Sequence, residues 1–246
     1  MNVLGIDIGG SGIKGAPVDT DTGELLDARF RLPTPSPAKP RPVAEIVGEI
    51  ADHFKWNGRL GIGFPGVVRK GTTWTAANIH DDWVGLNAGK YIKKITGRKV
   101  CIINDADAAG LAEMAFGVGK DRQGVVLLVT IGTGLGIALF TDGYLLPNCE
   151  MGHIEMGGVD AEVYASDAAR KREKLSWKIW GRRFNEYLVT MEKLLWPDLI
   201  ILGGGVSKKF ELYKPYINIQ AEVLPAQMLN EAGIVGASLG ACKYGK

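Results

Sequence analysis

Two short stretches carry the residues whose types could do chemistry. In IINDADAAGLAE, residues 102–113, Asp105 follows an apolar run and opens a segment with helical spacing. A carboxylate there can cap the helix, a contribution of about 1 kcal/mol. It can equally take a proton from a substrate hydroxyl at the end of a strand, where placement matters more than an unusual pKa. Asn104 can supply the cap in its place or orient the same hydroxyl, and spacing alone leaves these readings open. The second stretch is the ExGH of Glu150 to His153, followed by Glu155 and, in AEVYAS at 161–166, by Glu162. Carboxylate, imidazole and carboxylate together offer acceptors and a donor for several hydroxyls, which is what sugar recognition needs. A metal is the rival use of His153, but no second histidine or cysteine lies at ligand spacing around it.

A third set of residues would act through the backbone. Glycine turns follow apolar runs at Gly9-Gly10-Ser11, Gly132-Thr133-Gly134 and Gly203-Gly204-Gly205. Without side chains, their N–H groups can approach phosphate oxygens closely. One such turn is usually only a turn; three in one chain point to phosphate binding. None has the spacing of a P-loop or of GxGxxG with a following acidic residue. Lys14, three residues after Ser11, either adds positive charge near a phosphate or is an exposed strand lysine. Net charge is only +2, too small to demand a polyanionic partner, yet Arg170, Lys171, Arg172 and Lys174 cluster, with Arg182, Arg183, Lys208 and Lys209 further on. Such runs are ordinarily solvated helix faces.

The elements that must position these residues read as alternating strands and helices. Apolar segments at 3–8, 13–18 and 25–32 form a strand meander. Five of the 11 prolines lie between Pro33 and Pro42 and exclude regular structure there, before a helix over 43–56. A strand at 60–64, a Pro65-Gly66 turn, a helix over 87–96, a strand at 100–103 and a helix over 105–116 complete the first half. GIDIGGSGIKG at 5–15 and VTIGTGLGIAL at 129–139 are two copies of one strand–turn–strand device, which implies two similar α/β lobes. Residues 1–117, joined by a closing helix within 232–246, form one lobe; residues 118–231, with a long helix over 176–195 and a strand at 198–202, form the other.

Composition narrows the function class. With 46% apolar and 23% charged residues the chain has a real core, and 34 glycines in 246 residues, about twice the usual share, follow no collagen-like repeat. Asp7 interrupts the first apolar stretch and no basic leader precedes it, so a cytoplasmic protein is expected. The longest apolar run, Val125 to Phe140, is broken by Thr130 and by glycines, and no membrane association is expected. Cys101, Cys149 and Cys242 are too widely spaced for a zinc site or a disulfide framework.

DIGGSGIK at 7–14, PGVV at 65–68, INDADAAGLAE at 103–113, TIGTGLG at 130–136, the ExGH at 150–153 and LGGGVSKK at 202–209 resemble, in order, the motifs of ROK-family sugar kinases. The match runs from about Gly5 to Gly240. NDADAAGLAEMAFG, LSWKIW at 175–180, LGGGVSKK and NEAGIVGASLGA at 230–241 are similar to the branch that phosphorylates glucose from inorganic polyphosphate, often with ATP as a second donor. The resemblance implies an actin-like, ribonuclease-H-like ATPase duplication whose two lobes enclose the sugar. It makes Asp105 the catalytic base and Asn104, Glu150, His153, Glu162 and, in the AANI at 76–79, Asn78 sugar ligands. Gly9, Gly10, Ser11 and Lys14 become the first phosphate loop, Gly132, Thr133 and Gly134 the second, and Gly204-Gly205 the nucleotide-side turn. Mg²⁺ is implied, with Asp7 as an anchor through water, and so is a homodimer.

Zinc is not expected, because many ROK proteins carry a CxCGxxGC cluster where the interval Ile154 to Ala161 has no cysteine. No helix-turn-helix motif is read ahead of Met1, so DNA-binding members resemble the chain less and no nucleic-acid partner is expected. The basic residues gain a role under this resemblance: Lys171, Arg172, Lys174, Arg182, Arg183, Lys208 and Lys209 would form an electrostatic track for polyphosphate. Trp177 and Trp180 are either core or interface. The alternatives are an ATP-only glucokinase or glucomannokinase, a non-catalytic sugar-binding regulator, which would be expected to lose the Asp105 carboxylate, and a glycine-rich scaffold, which leaves the ordered acidic residues unexplained.

Overall fold

Apolar runs bounded by glycine become strands, and the computed structural model, which describes residues 1–76 and 79–245, arranges them in two sheets. The chain divides into two compact units, residues 1–112 with 231–246 and residues 113–230. In the first, β1 (Asn2–Ile8) pairs antiparallel with β2 (Ile13–Asp19), and β2 with β3 (Phe30–Leu32). After α1 (Pro40–His53), β4 (Leu60–Phe64) returns parallel to β1. A small hairpin of β5 (Val68–Arg69) and β6 (Thr72–Thr73) and α2 (Ala88–Thr96) then lead to β7 (Val100–Asn104), parallel to β4, and to α3 (Asp105–Phe116). The sheet order is β3-β2-β1-β4-β7.

The second unit repeats this plan. β8 (Val125–Ile131), β9 (Leu135–Thr141) and β10 (Tyr144–Leu146) form antiparallel pairs. A hairpin of β11 (Glu155–Met156) and β12 (Val159–Asp160), three helices α4 (Ala161–Ala165), α5 (Asp167–Arg172) and α6 (Trp177–Leu195), then β13 (Leu199–Gly203), α7 (Phe210–Tyr213) and β14 (Glu222–Pro225) follow. β13 lies parallel to both β8 and β14, so the order β10-β9-β8-β13-β14 matches the first sheet strand for strand and direction for direction. The last helix, α8 (Ala232–Tyr244), packs on β1, β4 and β7 of the first unit.

Each unit has its own core. Leu4, Ile6, Val47, Ile62 and Ile92 anchor the first. In the second, the buried face of α6 (Trp180, Phe184, Leu188 and Met191) lies in one cluster with Leu127, Val129 and Ile200 of the sheet. Trp180 is wholly buried and so belongs to this core, while Trp177 is half-buried beneath the Arg170 guanidinium. Close packing of α8 explains part of the glycine excess: a Cβ on Gly5 or Gly61 would run into the carbonyls of Ile234 or Ala237, and one on Gly236 into the backbone of Ala108.

Several boundaries differ from the sequence-based expectation. α1 begins at Pro40, inside the proline-rich stretch, because a proline is tolerated in the first helical turn, where its missing N–H has no partner to lose. It ends at His53 rather than at Trp56, and Lys55 adopts a left-handed φ of 49° that breaks the helix. The third strand shrinks to 30–32, with a single bridge between Val18 and Leu25 as the remnant of its predicted start.

Candidate active site

Because β1, β4 and β7 are parallel, their carboxyl ends share one edge of the first sheet, the edge where α/β sheets usually bind ligands. Asp7 stands on β1 opposite Gly63 of β4, and Gly63 in turn stands opposite Ile103, so Asp105 emerges two residues further along the same edge. Asn104 is 5% exposed and works at both ends of its amide. Its Oδ1 accepts the Asp107 N–H (2.9 Å), capping α3, and its Nδ2 donates to the Gly66 carbonyl (3.1 Å), fixing the Pro65-Gly66 turn. The cap of α3 is therefore Asn104; the half-buried Asp105 carboxylate takes the N–H of its neighbour Ala106 at 2.8 Å.

The first glycine turn joins β1 to β2 at the same edge. The Gly9 N–H closes it on the Gly12 carbonyl at 3.1 Å, and Gly10 and Ser11 are exposed. Immediately behind, Asp7 and Lys14 stand opposite each other in register and pair at 3.0 Å, both largely shielded from solvent. A Cβ on Gly233, in the first turn of α8, would meet the Asp7 carboxylate. Two residues that sequence reasoning passed over brace the turn: the Arg31 guanidinium donates to the Ser11 carbonyl (2.8 Å), and the Thr34 hydroxyl to the Gly9 carbonyl. Only the β2–β3 register, which sets Arg31 opposite Lys14, brings Arg31 there.

The second unit places its glycine turns the same way. Gly132-Thr133-Gly134 joins β8 to β9, closed by the Gly132 N–H on the Gly134 carbonyl at 3.0 Å. Gly203 stands opposite Thr130 at the end of β13, and Gly204 (φ 76°) packs so closely on Ile131 that a Cβ would strike its backbone. Next to the second turn sits the acidic cluster, since a Cβ on Gly134 would meet the Glu162 carboxylate. His153 is at its centre: Nδ1 lies 2.9 Å from Asp160 and 4.0 Å from Glu162, and Nε2 3.8 Å from Glu150. The hydrogen bond to Asp160, followed by the charges of Glu162 and Glu150, raises the pKa of His153. Burial, reinforced by Glu162, raises that of Glu150 despite the opposing pull of His153.

Asp160 was missed by the sequence reading. Its signal lay in the two-residue strands β11 and β12, which set it opposite the exposed Glu155 and are too short to read from periodicity. Ligand atoms of His153, Asp160 and Glu162 lie within 4.8 Å of one another, close enough to share a cation. Asn78 lies outside the described residues.

The basic residues fall into two groups. Lys171 pairs with Asp167 at 2.7 Å, and Arg172 and Arg183 share Glu173 at 2.8 and 2.6 Å. Lys174, Arg182, Lys208 and Lys209 are exposed and have no ion-pair partner among the described residues. No helix among the described residues is long and apolar enough to cross a membrane.

Comparison with known proteins supplies the identity. The ROK family model matches residues 3–171. The polyphosphate glucokinase of Mycobacterium tuberculosis is 45% identical over 237 residues, spanning 96% of this chain and 89% of that one. The crystal structure of the inorganic polyphosphate/ATP-glucomannokinase from Arthrobacter sp. strain KM superposes with a TM-score of 0.95 at 43% identity, covering 99% of each chain. A ROK family glucokinase from Streptomyces griseus, solved with glucose and AMPPNP, gives a TM-score of 0.85 at 24% identity over 99% of this chain and all of that one. The repeated five-stranded plan is that of the two-lobed, actin-like sugar kinases. The chain belongs to the ROK family, within its branch of polyphosphate glucokinases.

Proposed function

We propose that this protein transfers a phosphoryl group from inorganic polyphosphate, and also from ATP, to the O6 hydroxyl of glucose, giving glucose 6-phosphate. The observation that carries this reading is the division of labour where β7 meets α3. Asn104 caps the helix, and the Asp105 carboxylate, which takes the Ala106 N–H, stands at the edge that also holds the first glycine turn, the position from which it can accept a substrate proton. Asp105 accepts the O6 proton as that oxygen attacks the terminal phosphoryl group. Backbone N–H groups of Gly9-Gly10-Ser11 and Gly132-Thr133-Gly134, the Lys14 ammonium and the Gly204-Gly205 turn hold the donor. Glu150, His153 and Glu162 take the sugar hydroxyls, with Asn104 and Asn78 as further contacts. The kinship with ROK kinases supports the use of both sets on one sugar.

Phosphoryl transfer of this kind uses a divalent cation, here Mg²⁺, which neutralises charge on the transferring group. Asp7 fits as its anchor through water: it is a hard oxygen donor beside the first turn, and Lys14 occupies one of its oxygens. The His153, Asp160 and Glu162 set is assigned to sugar hydroxyls and no zinc is assigned, since the loop from Ile154 to Ala161 supplies no thiolate. Lys174, Arg182, Lys208 and Lys209 are the principal cations of the polyphosphate track, with Lys171, Arg172 and Arg183 already matched by carboxylates. A homodimer, which rests on the family resemblance, and a cytoplasmic location, which rests on the first apolar stretch and the cysteine spacing, belong to the same reading. Likeness to a glucomannokinase adds mannose as a second acceptor to test.

Asp105→Asn tests the reading. The variant is expected to keep its fold and its glucose KM while kcat falls about 10³-fold with either donor. Near-normal turnover in a folded variant would sink the base assignment.

A further inference from the structure

The edge strand β3 delivers one cation to the first glycine turn that the reaction described above does not use. Asp7, Lys14 and Arg31 stand opposite one another across β1, β2 and β3, so the three side chains form a row on one face of the sheet. The Lys14 charge is matched by Asp7 at 3.0 Å, whereas Arg31 has no ion-pair partner among the described residues. Its guanidinium lies over Gly12, where any Cβ would strike it, and donates to the Ser11 carbonyl. Thr34 holds the Gly9 carbonyl in the same manner. Two carbonyls of the turn are thus tied by hydrogen bonds to β3 and to Thr34, two residues beyond it. Gly10 and Ser11 are exposed, and their N–H groups have no protein partner among the described residues.

We propose that Arg31 is a further donor-binding residue, bracing the first turn through Ser11 and presenting its remaining N–H groups to non-bridging oxygens of the phosphate donor. A guanidinium carries five N–H donors in a fixed fork and suits phosphate better than an ammonium does. One of its nitrogens serves the Ser11 carbonyl, and the guanidinium lies over Gly12 of the same turn. The inference rests on the function proposed above, because it takes the first turn as the phosphate site.

Steady-state kinetics of Arg31→Gln and Arg31→Lys test it, with polyphosphate and ATP as separate donors and a thermal melt to check folding. Losing one charge-assisted contact predicts a donor KM about 10-fold higher in Arg31→Gln, a flatter dependence of polyphosphate KM on salt, and a glucose KM within about twofold of the parent. Arg31→Lys is expected to recover part of the donor affinity, since it keeps the charge and loses the fork. A donor KM and salt dependence like those of the parent overturn the proposal. So does a fall in kcat at unchanged donor KM, which would make Arg31 a brace alone. Calorimetric titration of inorganic tripolyphosphate without glucose gives a second readout: weaker binding by Arg31→Lys supports the proposal and equal binding overturns it. Absence of glucose 6-phosphate from the unmodified protein would instead sink the kinase reading, while the titration still reports on Arg31.

Discussion

The β1–β2 turn and the β8–β9 turn join equivalent strands of sheets with the same strand order, yet the residues one step behind them differ in kind. Behind the first turn Asp7 faces Lys14 and forms an ion pair; behind the second Thr130 faces Gly136, and the contact is one neutral hydrogen bond of 3.2 Å from the threonine hydroxyl to the glycine carbonyl. The surroundings diverge further. Arg31 covers the first turn, while the Glu162 carboxylate lies against the second. A carboxylate beside a glycine turn opposes the approach of phosphate, so under the proposed function both turns hold the donor and the first would supply the larger electrostatic attraction. The same backbone device thus recurs in both sheets with different side chains around it.

The largest way to break this contrast is in the sugar cluster. Glu162→Gln or His153→Gln should raise glucose KM about 10- to 100-fold with donor KM nearly unchanged, since each removes a charged hydrogen-bonding partner. Next comes the turn after β13. Gly204→Ala forces a side chain into a φ of 76° and against Ile131, and is expected to cost about 2 kcal/mol in denaturant unfolding. The contrast itself is sharpened by a pair of changes. Lys14→Met should raise donor KM about 10-fold, whereas Thr130→Val should leave it within about twofold; equal effects would abolish the distinction.

Smallest is the pH effect. Asp160 raises the His153 pKa, so the doubly protonated ring, with two N–H donors, persists above the ordinary value of about 6.5. A raised folded-state pKa gives a stabilisation present at low pH and lost as pH climbs through that value. Glucose KM is therefore expected to rise a few-fold, about 2- to 5-fold, across that interval, and Asp160→Asn should move the inflection to lower pH.

Strands bounded by glycine, the strand–turn–strand repeat and the boundaries of α3 were legible because each is a local pattern of period and capping. The helix start at Pro40 was not, since proline both breaks helices and begins them, and the sequence shows only its presence. Arg31 and Asp160 stayed hidden for another reason. Arg31 reaches the first turn only through cross-strand register, and Asp160 reaches His153 through a two-residue hairpin; neither leaves a sequence period. Glycine abundance was traced to turns, but Gly5 and Gly61 serve strand–helix contact with α8 and Gly236 serves contact between α8 and α3, in each case with residues distant in sequence. Clustered cations read as one group, whereas three of the seven are matched by carboxylates that only side-chain geometry reveals.

The central claim, that this chain phosphorylates glucose from either donor, is tested most directly by following glucose 6-phosphate with Mg²⁺ present and polyphosphate or ATP supplied separately. The account predicts product with each donor, and none from glucose and Mg²⁺ alone. A folded protein that yields no glucose 6-phosphate with either donor would contradict it.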